Sequence, residues 1–151
     1  MEYDKKLIEL YNLGEKEDIE FININLGHNK GLTRRDEGIS FIILSLKLKG
    51  KEEYLVLCHE MGHYYKDCRT KLAVPASKAI EEARADKWKA QYLIPREKYI
   101  EIMHSPYVGN DWEAAEELGV DMDSIVCIHD VFRAQGLSVS QADLGCVMRE
   151  P

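Results

Sequence analysis

The stretch that decides the fold spans residues 51–66 and reads KEEYLVLCHEMGHYYK. Its apolar or small residues recur every three or four positions, at Leu55, Cys58, Met61 or Gly62, and Tyr65. This spacing predicts a helix over the whole range. Glycine inside a helix costs about 1 kcal/mol relative to alanine. Gly62 therefore indicates that another element packs closely against the helix at that point.

Within this helix, His59, Glu60 and His63 form an H-E-x-x-H pattern. Positions i and i+4 of a helix share a face, with Cβ atoms about 5–6 Å apart, so both imidazoles can bind one zinc ion from the same side. Glu60 is turned about 100° from His59, which directs its carboxylate to a zinc-bound water rather than to the metal. The pattern predicts two ligands and a general base. The alternative interpretation is two hydrogen-bonded histidines on a half-buried helix.

A third ligand is expected on the next helix, which the sequence predicts from Ser77 to about Leu93. Catalytic zinc sites usually have three protein ligands and keep one position for water. Glu81 and Glu82 are both candidates. Asp86 lies four residues after Glu82, on the same face, and can accept the free ring N–H of a ligand histidine. Because Glu81 has Ala85 in the corresponding place, we expect Glu82 as the ligand. The alternative is that both Glu82 and Asp86 are solvated helix charges.

The residues before this helix predict a short helix and two strands. Residues 3–13 have helical spacing, and residues 19–26 alternate between apolar and polar side chains, which is typical of a half-buried strand. A polar segment, residues 33–37, leads to a second strand over residues 38–44. Two strands before a long helix predict a small antiparallel sheet. Because Ile39–Leu44 precedes the zinc helix, it is the nearest candidate edge for pairing with an extended peptide, unless it is paired on both sides.

The residues after the second long helix predict only short helices. Pro95 ends that helix and opens another, which extends to about Ile102. Asp111 is expected to cap a helix that ends at Gly119, and a last helix runs from Asp121 or Asp123 to about Ala134. The order helix, two strands, two long helices and small helices predicts an α+β fold.

Composition limits the class of protein. The chain has 151 residues, of which 45% are hydrophobic and 31% charged, as in a globular domain. Its 20 basic and 27 acidic residues leave a net charge of −7, whereas nucleic-acid-binding proteins usually carry a basic face. The longest apolar stretch, residues 39–44, is far shorter than the ~20 residues of a membrane span. Without an apolar leader or a Cys-x-x-Cys pair among Cys58, Cys68, Cys127 and Cys146, we expect a cytoplasmic protein with reduced thiols.

Two separated motifs give the chain a resemblance to the ImmA/IrrE-type metallopeptidases of the gluzincin group. The first motif is His59-Glu60-Met61-Gly62-His63-Tyr64. The second reads Glu82-Ala83-Arg84-Ala85-Asp86-Lys87-Trp88 and ends in Leu93-Ile94-Pro95. The strands ahead of the active-site helix also fit, and the resemblance covers roughly residues 19–100. The chain departs from the family at Lys89, where alanine is common, and its C-terminal third matches only as generic small helices.

The resemblance implies an intracellular zinc endopeptidase with a zincin-like fold. Zinc would be held by His59, His63 and Glu82, and Glu60 would take a proton from water and pass it to the leaving amine. The implied partner is a helix-turn-helix repressor of a phage or mobile element, whose cleavage switches on the genes of that element. On this basis residues 1–104 are expected to form the metallopeptidase core, in which a small antiparallel sheet packs on the helices. Residues 105–151 would be a helical extension of the same domain.

Gluzincins usually add a histidine or tyrosine that stabilises the oxyanion. His104, Tyr107 and His129 are the candidates in this chain, and the sequence does not choose among them. Each is equally compatible with an ordinary polar role on the surface or in the core.

One alternative function uses the same zinc site. The chain would then be a zinc-bearing regulatory or sensor protein that binds a partner without cleaving it. An intact Glu60 favours catalysis, because a purely structural zinc site needs no general base.

A DNA-binding module is a second alternative. Residues 111–131 are predicted to form two helices joined by a turn that contains glycine, which is the order of a helix-turn-helix motif. The second helix carries Asp123 and Asp130 but no basic residue before Arg133. Because that face would repel phosphates, no direct contact with nucleic acid is expected.

A structural zinc site that uses Cys127 and His129 is the third alternative. It lacks two further ligands at suitable spacing, since structural sites are usually four-coordinate.

Overall fold

The computed structural model describes residues 2–68, 77–105 and 110–136. In these ranges the chain forms six α-helices and three strands: α1 (Asp4–Lys16), β1 (Glu20–Ile24), β2 (Gly31–Asp36), β3 (Ile39–Ser45), α2 (Gly50–His63), α3 (Lys78–Leu93), α4 (Arg96–Met103), α5 (Asp111–Leu118) and α6 (Met122–Ala134). A π-helical turn, Tyr64–Cys68, continues α2. Six helices and one small sheet in the described residues confirm the α+β class. Among the described helices, none has both the length and the apolar character needed to cross a bilayer.

The sheet is mixed, so the prediction of an antiparallel sheet is wrong. Its strand order is β1-β3-β2, with β1 parallel and β2 antiparallel to β3. The difference arises because the polar segment that we expected to be a connection forms β2. Glu37 and Gly38 both have positive φ, 51° and 81°, which suits a two-residue hairpin turn between β2 and β3. With one more reversal of the chain, β3 returns parallel to β1.

Strand β3 lies at the centre of the sheet and not at its edge. It pairs with Ile22 of β1 and Leu32 of β2 on its two sides, both through Ile43. Ile42 and Leu44 are fully buried on the face that carries the core. The expectation of an open edge at Ile39–Leu44 is therefore wrong, and the two edge strands are β1 and β2.

The structure divides into two compact units, Met1–Lys89 and Ala90–Pro151. The first contains α1, the sheet, α2 and most of α3. Its core is formed by side chains that are fully buried or nearly so, including Leu10, Ile42, Leu44, Leu57, Cys58 and Met61. The prediction of one domain with a boundary at residues 104–105 stays a prediction, although the packing boundary lies earlier in the chain.

The second unit is helical within its described residues. One apolar cluster joins the end of α3 with α4, α5 and α6: Ala90, Ile94, Tyr99, Ala114, Ala115, Val120, Ile125, Ile128, Val131 and Phe132. The side chain of Asn110, and not the predicted Asp111, caps α5 by accepting a hydrogen bond from the Glu113 amide. Asp121 caps α6 by accepting one from the Ser124 amide. Gly119 ends α5 with a φ of 69°, a conformation that glycine adopts without strain.

Candidate metal centre

The two long helices of the first unit meet at Gly62 and Ala85. A Cβ atom on Gly62 would lie 2.5 Å from the Ala85 carbonyl oxygen and 2.9 Å from its Cα, so any side chain at position 62 would force the helices apart. Next to this contact, the rings of Tyr65 and Trp88 stack with centroids 5.0 Å apart. The expectation of a close neighbour at Gly62 is confirmed. Because the helices approach closely here, the carboxylate of Glu82 on α3 reaches the histidines on α2.

His59, His63 and Glu82 converge at this crossing. The two Nε2 atoms lie 3.2 Å apart. Glu82 places one carboxylate oxygen 2.8 Å from Nε2 of His59 and the other 3.2 Å from Nε2 of His63. Bonds of about 2.0–2.2 Å to a tetrahedral zinc ion separate its ligand atoms by roughly 3.3–3.6 Å. The observed separations of 2.8–3.2 Å are slightly shorter than this, so a small outward shift of the side chains would admit such an ion. His59, His63 and Glu82 are the group among the described residues that could hold a metal ion. Glu81 is not part of this group.

Each histidine also faces a carboxylate through its other ring nitrogen. Nδ1 of His59 lies 2.8 Å from Asp86, and Nδ1 of His63 lies 3.2 Å from Asp67. A carboxylate at Nδ1 holds the ring proton there, which leaves a lone pair at each Nε2. Two lone pairs and the charged oxygens of Glu82 then point at one another, which is unfavourable unless a proton or a metal cation lies between them. The chemistry of this donor set fits a divalent metal.

The charges around His59 also favour a cation at this site. Burial lowers the pKa of its ring, but the hydrogen bond to Asp86 and the charges of Glu60, Asp86 and Glu82 raise it. The net result is a pKa above the usual value for histidine. Surroundings that favour a proton on the ring also favour a bound cation, so protons and metal ions compete for this site.

Glu60, the predicted general base, is buried and held by strand β2. The Thr33 hydroxyl lies 2.7 Å from Oε1 of Glu60 and 3.0 Å from its backbone carbonyl oxygen, and its single proton can go to only one of them at a time. A Cβ on Gly31 would lie 2.9 Å from Cγ of Glu60. Glycine at that position therefore lets the strand approach the base closely.

The sequence analysis missed Thr33 and Gly31 because it did not assign β2. Residues 31, 33 and 35 lie on one face of the strand, since side chains two apart share a face, but no apolar alternation marks this segment as a strand. The third of these residues, Arg35, donates a hydrogen bond to the carbonyl oxygen of Cys68, at the end of the π-helical turn. One edge strand thus contacts both the base and the turn beyond the histidines.

Asp67 was also missed. It lies four residues after His63, the same i to i+4 spacing that singled out Asp86 relative to Glu82. The analysis ended the helix near Lys66, whereas the structure extends it as a π-helical turn to Cys68.

Two of the three candidates for the oxyanion group, His104 and His129, belong to the second unit. His129 uses both ring nitrogens within the second unit: Nδ1 accepts from the Tyr99 hydroxyl at 2.6 Å, and Nε2 lies 2.8 Å from Asp111. His104 follows α4 in the same unit. Tyr107 lies outside the described residues. The choice among the three stays open.

The structural zinc site with Cys127 and His129 gains no support. In residues 2–68, 77–105 and 110–136, three potential ligands converge at His59, His63 and Glu82, and no such group contains Cys127.

Comparisons of the chain with models of protein families, with curated proteins and with solved structures find no match. The resemblance to the ImmA/IrrE-type metallopeptidases therefore rests on the two sequence motifs alone. The fold brings together the three candidate metal ligands that these motifs contain, which are His59, His63 and Glu82.

Proposed function

We propose that this protein is a zinc-dependent endopeptidase that cleaves a protein partner. The observation that carries the proposal is the convergence of two imidazole Nε2 atoms and the Glu82 carboxylate within 3.2 Å of one another. Glu60 lies on the same helical turn as these histidines. Three ligands and an adjacent carboxylate are the parts that metal-assisted peptide hydrolysis requires.

His59, His63 and Glu82 would hold the zinc ion. Bound zinc supplies a Lewis acid that makes water more acidic and polarises a carbonyl group. Glu60 takes the proton of the attacking water and passes it to the leaving amine. The Thr33 hydroxyl holds one oxygen of Glu60, which keeps the carboxylate oriented and leaves the other oxygen for the proton.

Strand β2 offers a way to bind an extended substrate. It pairs with β3 on one side and lies at the edge of the described sheet, and two of its residues contact Glu60. A peptide that adds to this edge by main-chain hydrogen bonds would run beside the general base. This edge takes the place of the one that the sequence analysis assigned to Ile39–Leu44.

The partner that fits the motif resemblance is a helix-turn-helix repressor of a phage or mobile element. Cleavage would remove the repressor and release the genes that it controls. This choice of partner depends on the two motifs and not on the geometry of the site.

The first test measures zinc per chain in protein from which metal has been removed and then restored. We expect about one zinc in the wild type and in Glu81→Ala, and a loss of zinc in Glu82→Ala, because only Glu82 contacts both histidines. Full retention of zinc in Glu82→Ala would rule out this ligand set.

The second test measures cleavage. The protein is mixed with repressors encoded beside it, and mass spectrometry looks for one new terminus. Glu60→Gln should keep its zinc and lose about 10²–10⁴-fold in rate. A Glu60→Gln protein that cleaves at the wild-type rate would contradict the role of Glu60. A wild-type protein that binds zinc and the repressor but produces no new terminus would instead be a regulatory binding protein.

A further inference from the structure

We propose that Asp67 and Arg84 are positioning residues of the metal centre. In this proposal Arg84 holds the carboxylate of Asp67, and Asp67 fixes the ring of His63 so that its Nε2 faces the metal. The inference rests on the zinc centre proposed above. It adds two residues to which neither motif assigns a role.

The contacts of Asp67 divide between its two oxygens. Oδ2 lies 3.2 Å from Nδ1 of His63, and Oδ1 lies 3.8 Å from the Arg84 guanidinium. The Asp67 side chain is 15% exposed and the Arg84 side chain 41%, so Asp67 is the more shielded partner of this pair. Because each oxygen has its own partner, the carboxylate cannot turn away from His63 without leaving Arg84.

The two carboxylates beside the histidines form a reciprocal brace between the ligand-bearing helices. Asp86 extends from α3 back to His59 on α2. Asp67 lies on the continuation of α2 and is tied to α3 through Arg84, two residues after the ligand Glu82. The Arg35 side chain contacts the carbonyl oxygen at the end of the turn that carries Asp67. These contacts therefore fix the position of the His63 ring relative to helix α3, which carries the third ligand, Glu82.

A purely Coulombic effect and a positioning role predict opposite changes in metal affinity when Arg84 is replaced by a neutral residue. Removing a positive charge near a cation site strengthens cation binding if only Coulomb forces act. Removing the residue that holds Asp67 weakens binding, because His63 then loses its fixed orientation. The sign of the change in metal affinity for Arg84→Gln thus separates the two explanations.

The experiment measures zinc affinity by competition with a chelating dye, for the wild type, Asp67→Asn, Arg84→Gln and the double variant. Loss of a hydrogen-bonding partner of a ligand typically costs 10–100-fold in metal affinity. We expect that loss for Asp67→Asn and a smaller loss for Arg84→Gln. The double variant should bind no more weakly than Asp67→Asn, because Arg84 acts through Asp67. Glu81→Gln and Arg34→Gln are matched controls from outside the cluster and should bind as the wild type does.

A second measurement follows the His63 ring directly. Imidazole ¹⁵N NMR of the zinc-loaded protein should show a well-defined Nδ1–H on His63 in the wild type and faster exchange of that proton in both single variants. The absorption spectrum of the cobalt-substituted protein should change in the same variants. A role of Asp67 in helix stability alone would alter thermal unfolding without changing either signal.

Three results would overturn the inference. One is unchanged zinc affinity in Asp67→Asn, and another is tighter binding in Arg84→Gln. If Asp67→Asn does not fold, the direction of the change in zinc affinity of Arg84→Gln still tests the inference. The third is a folded wild-type protein that binds no zinc, which would refute the proposed centre as well. Zinc binding without peptide cleavage would refute only the proposed activity and leave this inference standing.

Discussion

Each unit of the molecule holds a histidine–carboxylate cluster, and the two clusters differ in where the lone pairs of the rings point. In the second unit, His129 hydrogen-bonds to Tyr99 through Nδ1 and to Asp111 through Nε2. In the first unit, His59 and His63 use only Nδ1 for carboxylates outside the ligand set, and both Nε2 atoms converge on Glu82. The ring of His129 bonds to two different protein groups, whereas the Nε2 atoms of His59 and His63 share one carboxylate and lie 3.2 Å apart.

This difference shows that a carboxylate beside a histidine does not by itself indicate a metal site. A ring with partners on both nitrogens is a structural element that ties helices together. Two rings whose Nε2 atoms face each other and one shared carboxylate form a group that could hold a metal ion. The convergence of two Nε2 atoms therefore separates the two clusters better than burial or charge does.

The comparison predicts that His63→Ala abolishes stoichiometric zinc binding. The metal would lose one of three ligands at a site that has no described substitute. Elemental analysis after dialysis against zinc checks the result, and circular dichroism shows whether the variant is folded. Retention of one zinc per chain would mean that the site is completed in another way.

For Gly62→Val we expect loss of both stability and zinc affinity. Its Cβ would lie 2.5 Å from the Ala85 carbonyl oxygen, and overpacking of this kind typically costs about 1–3 kcal/mol. Chemical denaturation and zinc titration measure the two effects. Ala79→Val, at an exposed position of the neighbouring helix α3, is the control and should change neither. A Gly62→Val protein with wild-type stability would show that α2 and α3 do not meet at this residue.

In contrast, His129→Ala should keep its zinc and lose stability. The variant leaves the Tyr99 hydroxyl, whose side chain is 1% exposed, without its partner, which costs about 1–3 kcal/mol. Urea denaturation measures the loss, and His28→Ala in an exposed turn should show none. Reduced zinc binding in His129→Ala would contradict the assignment of this cluster to structure alone.

The smallest effect concerns protonation in the metal-free protein. Although burial lowers the pKa of His59, its hydrogen bond to Asp86 and the nearby carboxylates raise it above about 6.5. Protonated His59 therefore stabilises the metal-free fold below that pH, and this contribution is lost as pH rises through the raised pKa. Titration followed by NMR should show a lower pKa for His59 in Asp86→Asn. An unchanged pKa would mean that Asp86 does not contact the ring.

The local features of the site follow from residue spacing along single helices. His59 and His63 lie on one face because they are four apart, and the same rule relates Glu82 to Asp86. The choice of Glu82 over Glu81 depended on that spacing, and the structure places Glu82 and not Glu81 against the histidines. Asp67 obeys the same rule and was missed only because the helix extends further than its apolar pattern.

The sheet was harder to predict, because its topology depends on contacts between distant segments. Strand β2 is polar and has no apolar alternation to mark it. It is a strand because it pairs with β3 along its length and places Gly31 and Thr33 against α2, while residues 34–36 are exposed. Its existence changes the direction of β3 relative to β1 and moves the open edge from β3 to β2.

By itself, the sequence determined the α+β class, the helix that bears two histidines and a glutamate, and the residues of the second helix that complete a ligand set. These features depend on periodicity within one segment, which 3.6 residues per turn makes visible in the chain. Only the tertiary structure decided that Thr33 holds Glu60, that Asp67 and Arg84 brace His63, and that His129 is fully bonded. Apart from the His63–Asp67 pair, which is four residues apart, those contacts join residues 17–30 positions apart, and no local spacing encodes which distant side chains meet.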